Sequence, residues 1–243
     1  MTVARTLPAA EDCAHAVGET FGAVFALVDG WRVEMTAVID SAAAEVAASD
    51  VDAAVERLVI PRLAVPGALV IGGGFVATPG FLTDAEWHLA WWLGHSNTFG
   101  VGTAGPAVRR LEADEDPASE NFRDYTTLEW WRVPARTAAP HITGPYVDYL
   151  CTDDYTLTLT VPVRHHDAMV GVVGADLYVN DIERILLPRV RAITGSATIV
   201  NSAGRVVVST DPHRATGSLL RADALAGLET FPCGDSGLSL LVR

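Results

Sequence analysis

The chain has 243 residues, 49% hydrophobic and 19% charged, and its 30 acidic against 17 basic side chains give a formal charge of −13. That apolar content can bury a substantial core in one large domain or two small ones. The negative charge and the lack of a basic stripe exclude nucleic acid and anionic lipid as direct partners, and faintly favour a cationic ligand.

The N-terminal stretch has no basic start followed by an apolar run, and no segment approaches about 18 uncharged apolar residues. A cytoplasmic protein with no membrane partner is therefore expected. Apolar positions Val17, Phe21, Val24, Phe25 and Val28, then Trp31, Met35, Val38 and Ile39, recur at helical spacing. They predict a long N-terminal helix with a break near Gly30. Ser49 and Asp50 offer an N-cap for a second helix that Pro61 and Pro66 end, so residues 1–66 read as a helical region.

From residue 68 the period shortens. ALVIGGGFVA and EWHLAWWLG read as a strand pair around the Pro79-Gly80 turn. Residues 100 to 155 read as loop-rich, with an acidic segment, LEADEDPASEN, leading into DYTTLEWWRVPAR. TLTLTVPV alternates with period two and MVGVVGADLYV follows across RHHDA, which predicts a buried antiparallel hairpin. Asn180 and Asp181 suggest a cap for a helix over DIERILLPRV. Beyond it, SATIVNSAGRVVVST reads as a second hairpin and GLSLLVR as a closing strand. The order predicts an α+β fold, an antiparallel sheet with helices beside it.

Chemistry motifs are few. Gly72, Gly73 and Gly74 lack the GK[ST] or GxGxxG context of a phosphate loop and read as a close-packed strand or bulge. The adjacent His165-His166 on a turn, with no HxxxH, gives no metal site. No nucleophile elbow is present. Cys13, Cys151 and Cys233 read as free structural thiols, and Trp91-Trp92 as core or interface packing.

One constellation stands out: Trp130-Trp131, then GPYVD ending on Asp148, TLTLTVPV, and VGVVGADL ending on Asp176. It resembles the ligand-binding half of a Cache domain, the PAS-like sensor module of bacterial receptors. The resemblance covers residues 68 to 190 and implies a PAS-like antiparallel sheet with a long N-terminal helix. A Cache-like domain is thus expected over 67–190, with 191–243 a β extension resembling a truncated second module. In the amine- and amino-acid-binding members an aromatic pair, a Tyr-x-Asp and an Asp closing the hairpin form the pocket. The resemblance implies Tyr125, Trp130, Trp131, Tyr146, Asp148 and Asp176 as ligand-binding residues here. Leu128 stands where those members carry a carboxylate-gripping arginine, leaving Arg123 or Arg132 as substitutes.

Two carboxylates converging on one cavity repel unless a cation lies between them, and an ammonium over an aromatic face supplies it. Taken singly, Asp148 and Asp176 also suit turn or helix caps. The expected function is a non-catalytic sensor for a small amine, polyamine or amino acid, without cofactor. Its expected assembly is a homodimer through the N-terminal helix, signalling through a separate chain. The rival readings are an enzyme using the paired carboxylates as acid and base, and an interaction scaffold whose pocket has decayed.

Overall fold

The computed structural model describes residues 3–42, 45–97, 108–148, 155–225 and 227–243. Helix α1 (Val3–Ser41) runs through Gly30 without the expected break. Its inward stripe, including Val17, Phe21, Val24, Val28, Trp31, Met35 and Ile39, is buried by the chain itself. Helix α2 (Ala48–Leu63) starts one residue ahead of Ser49, with Ala47 as N-cap and the Asp50 carboxylate accepting from the Ala47 N–H. Pro61 sits inside its last turn rather than ending it.

Strands β1 (Val70–Ala77) and β2 (Leu89–Leu93) form the expected antiparallel pair, and a two-residue strand β3 (Arg109–Arg110) joins β2. The stretch read as loop carries helix α3 (Glu129–Thr137), which holds the tryptophan pair, and strand β4 (His141–Val147). Strands β5 (Tyr155–His165) and β6 (Ala168–Tyr178) are the expected hairpin, with His166 and Asp167 at positive φ in its turn. Together these strands form one sheet in the order β3-β2-β1-β6-β5-β4, antiparallel throughout. Helix α4 (Val179–Val190) follows, its N-cap at Tyr178 making no side-chain hydrogen bond, so Asn180 and Asp181 lie inside the helix rather than before it. Strands β7 (Ala197–Val200), β8 (Val206–Ser209), β9 (Glu229–Pro232) and β10 (Ser239–Val242) form a second sheet, ordered β8-β7-β10-β9. The architecture is α+β, as the order of elements predicts.

Alternation divides the large sheet into two chemically different faces. On β5, Leu157, Leu159, Val161 and Val163 join the core beneath α1, while Thr158 and Thr160 point the other way and are equally buried. On β2, Ala90 and Trp92 pack into the helix-side core, whereas Leu89, Trp91 and Leu93 join a separate aromatic cluster on the far face. The two faces need different neighbours from the triple glycine. A Cβ on Gly73 would lie 2.8 Å from Trp31 Cζ3 of α1, and one on Gly72 3.1 Å from Trp91 Nε1. The glycines therefore let one indole lie against each side of β1, with a bulge between Val70 and Gly72. Gly73→Ala is expected to destabilise the fold by roughly 1–3 kcal/mol through overpacking, measured by urea unfolding. Gly22→Ala, with nothing within 4 Å of its Cβ, should instead add about 0.5–1 kcal/mol as a helix-interior glycine.

Cys13 and Cys233 are buried free thiols, while Cys151 lies outside the described residues. Burial raises the pKa of both described thiols, that of Cys233 to about 12, which keeps them protonated and unreactive.

Candidate functional site

The far face of the sheet builds the site. Asp176 of β6 is cross-strand neighbour to Thr158 of β5 on one side and Gly72 of β1 on the other, so its carboxylate rises from the middle of the sheet at 2% exposure. The Thr158 hydroxyl donates to Asp176 Oδ1 at 2.6 Å. Tyr146 Oη lies 2.8 Å from Thr158 Oγ1 and 3.3 Å from Asp148 Oδ2. Because the Thr158 proton is committed to Asp176, Tyr146 is the donor to either of its two neighbours. A line of polar contacts thus runs between the two carboxylates through Tyr146 and Thr158, with the single Tyr146 proton bonding either Thr158 or Asp148 at one time.

An inner cavity of about 30 Å³ lies over this line of contacts, with Asp176 and Asp148 against an apolar wall of Val76, Leu89, Trp91, Leu111 and Trp130. It shares Trp130, Tyr146 and Asp148 with a vestibule of about 860 Å³. Trp91 Nε1 is a buried donor without a hydrogen-bond partner among the described residues, and Thr143 Oγ1, in the vestibule wall, is likewise without one.

Of the six residues expected to bind ligand, Trp130, Tyr146, Asp148 and Asp176 line the inner cavity. Tyr125 and Trp131 do not. Their rings pack at 5.2 Å from each other, and Tyr125 also stacks on Trp130 at 6.2 Å, so they support the Trp130 indole from behind. Tyr125 Oη donates to the Ala77 carbonyl at 2.6 Å, and burial raises its pKa strongly. Tyr125 is therefore an anchor between the turn before α3 and β1. The Trp130 carbonyl accepts from Thr160 Oγ1 at 2.9 Å, which pins α3 to the sheet.

Trp91 and Thr158 were not among the expected site residues. Trp91-Trp92 reads as packing in the sequence, and Trp92 does pack beneath the sheet, but Trp91 lines the cavity. The signal was the period-two alternation of β2, which puts adjacent residues on opposite faces.

The arginine substitutes are differently placed. Arg123 borders the vestibule, but its Nη1 donates to the Glu120 and Phe122 carbonyls at 3.2 and 2.9 Å. Arg132 is exposed and lines neither cavity, whereas Leu128 faces the vestibule.

A charged clamp holds the outer wall in place. His88, 4% exposed, sits between Asp52 Oδ1 of α2 at 2.9 Å and Glu115 at 3.1 Å. Arg110 adds a 2.5 Å ion pair to Asp52 and lies over the Trp92 ring. Burial opposes charging His88, but hydrogen bonds and charge attraction from Glu115 and Asp52 outweigh it and raise its pKa. Burial would raise Glu115 too, yet the His88 ring and the Leu89 N–H hold it below the ordinary range. At the vestibule, a 3.0 Å contact from His141 lowers Glu129. Among the described residues no group of His, Cys, Asp or Glu is arranged to hold a metal ion.

Residues 95–184 match the family model described as the first PDC sensor domain of methyl-accepting chemotaxis protein-like proteins. No curated protein matches the sequence. Solved structures share the fold at low identity. The periplasmic sensory domain of the Campylobacter jejuni chemoreceptor Tlp1 is 14% identical with a TM-score of 0.63, over 96% of this chain and 91% of that one. The ligand-binding domain of the Pseudomonas fluorescens chemoreceptor CtaA, in complex with L-valine, is 14% identical with a TM-score of 0.61, over 98% and 94%. The ligand-binding domain of the Pseudomonas aeruginosa PAO1 amino acid chemoreceptor PctC, in complex with GABA, is 17% identical with a TM-score of 0.52, over 95% and 93%. The resemblance to the Cache, PAS-like sensors holds in both sequence model and fold.

Proposed function

We propose that the chain is a ligand-binding sensor domain that recognises a small amine-bearing molecule in the inner cavity and binds it without turnover. The observation that carries this reading is the pair of carboxylates Asp148 and Asp176, joined by the polar contacts of Tyr146 and Thr158, against the Trp91 and Trp130 indoles. An ammonium there meets carboxylates and aromatic faces together, and the aromatic contact contributes roughly 0.5–2 kcal/mol. The matched sensor family and the amino-acid ligands of the CtaA and PctC domains agree with it.

Leu128 offers nothing to an α-carboxylate, and a buried carboxylate without a partner is costly, so amines should bind more tightly than the corresponding α-amino acids. Calorimetry of an α-amino acid against its decarboxylated amine tests this. Tighter binding of the amino acid would overturn the preference and assign its carboxylate to a donor such as Trp91 Nε1–H.

The division into a helical region 1–66, a pocket domain 67–190 and an extension 191–243 belongs to this reading. So does a separate signalling partner. Among the described residues no helix is long and apolar enough to cross a membrane. The cytoplasmic placement expected from sequence stands against the periplasmic location of the Tlp1 sensory domain, and a reporter fusion read on both sides of the membrane decides it. A homodimer through the N-terminal helix is part of the same proposal, although Phe21, Val24 and Val28 are buried within one chain and only Phe25 of that stripe is half-buried. Removing residues 1–30 would therefore unfold the protein rather than release a monomer, and light scattering of the full chain is the test of dimerisation.

A further inference from the structure

The vestibule has a chemistry of its own. Among the described residues five carboxylates border it, on Glu112, Asp114, Asp124, Glu129 and Asp148, against one cation, Arg123, whose Nη1 donates to backbone carbonyls. Some of this charge has local work: Asp124 caps the turn before α3 and Glu129 contacts His141. Glu112 is exposed. The carboxylates are too dispersed to hold a metal ion, so the field suits an organic cation that can reach several of them. A second observation points to an occupant: Thr143 Oγ1, 5% exposed and without a partner among the described residues, opens on the same space. A hydroxyl there accepts from an ammonium as readily as it donates. The inner cavity that Asp176 lines also has Val76, Leu89 and Leu111 in its wall, which suits methylene groups.

We propose that the ligand is a diamine or longer polyamine, with one ammonium at Asp176 in the inner cavity, an aliphatic run along the apolar wall, and a second ammonium in the acidic vestibule. This rests on the amine reading of the inner cavity and adds a second cation subsite to it.

The test is calorimetry of the full chain with three five-carbon probes: pentylamine, cadaverine and δ-aminovalerate. Cadaverine is expected to bind about tenfold more tightly than pentylamine, a difference of one charge-assisted contact, and δ-aminovalerate more weakly than either. The cadaverine advantage should shrink as salt is raised, since the vestibule is open to solvent. It should also disappear in the double variant Glu112→Gln, Asp124→Asn, in which asparagine keeps the cap. Equal binding of pentylamine and cadaverine would overturn the vestibule subsite while leaving the amine pocket standing. Tighter binding of δ-aminovalerate would overturn it in favour of Arg123 as a carboxylate partner. Failure of all three probes to bind would overturn the amine reading together with the subsite.

Discussion

Asp176→Asn is expected to weaken amine binding by about 1.5–3 kcal/mol, the range for hydrogen bonds to charged groups, or roughly tenfold to more than a hundredfold in dissociation constant. Asparagine keeps the size of the side chain and can still accept from Thr158, so the β5–β6 register should survive and the loss should be confined to ligand. Asp148→Asn should cost less, because Asp148 is half-exposed at the end of β4 whereas Asp176 is buried mid-sheet. A cation loses more by dilution of charge in the drier position. The measurement is a thermal shift with the amine at about 100 times its wild-type dissociation constant, where wild type should gain roughly 2.7 kcal/mol. An Asp176→Asn protein that melts without ligand like wild type and keeps the full shift would remove Asp176 from the site.

His88→Ala should lower stability by about 2–3 kcal/mol, because it removes the buried imidazole that Glu115 and Asp52 both contact and leaves only Arg110 paired to Asp52. For a chain of this length that corresponds to a fall in Tm of roughly 4–12 °C. The pH dependence identifies the cause. His88 has a raised pKa in the fold, so its contribution is fully present below the ordinary histidine value near 6.5 and is lost as pH rises through the higher folded value. Glu115 and Glu129 have lowered values, so theirs are present above the ordinary glutamate value near 4.3 and are lost as pH falls through the lower folded ones. All three act together between about pH 4.3 and 6.5. The gap between wild type and His88→Ala should narrow toward alkaline pH. A gap of constant size from acid to alkaline pH would show that His88 is held as a neutral imidazole and acts only by packing.

Local signals were enough for much of this protein. The helical stripe from Val17 to Ile39, the period-two run TLTLTVPV and the turn around His166 and Asp167 each determine their own secondary structure, because backbone preference and side-chain alternation act over a few residues. The spacing from Trp130 through Asp148 to Asp176 likewise carried the family resemblance and four residues of the inner cavity. Other features depended on what lies opposite. Residues 129–137 read as loop because Pro134 and two tryptophans weaken a helical signal, yet packing of Trp130 and Trp131 on the aromatic cluster and the Thr160 bond to the Trp130 carbonyl make them a helix. Trp130 and Trp131 are indistinguishable in sequence, with Tyr125 a weaker addition to them; the direction of α3 turns only Trp130 to the cavity. The same holds for Trp91 and Trp92, adjacent in the chain and on opposite faces of the sheet. Which face carries the pocket was decided by packing: the apolar stripe of α1 fills one face, while on the other the short helix α3 lies over polar and aromatic side chains and leaves a cavity between them. The clamp of His88 with Asp52 and Glu115 joins three distant segments, and no local pattern marks residues that meet only when α2, β2 and the acidic loop are packed together.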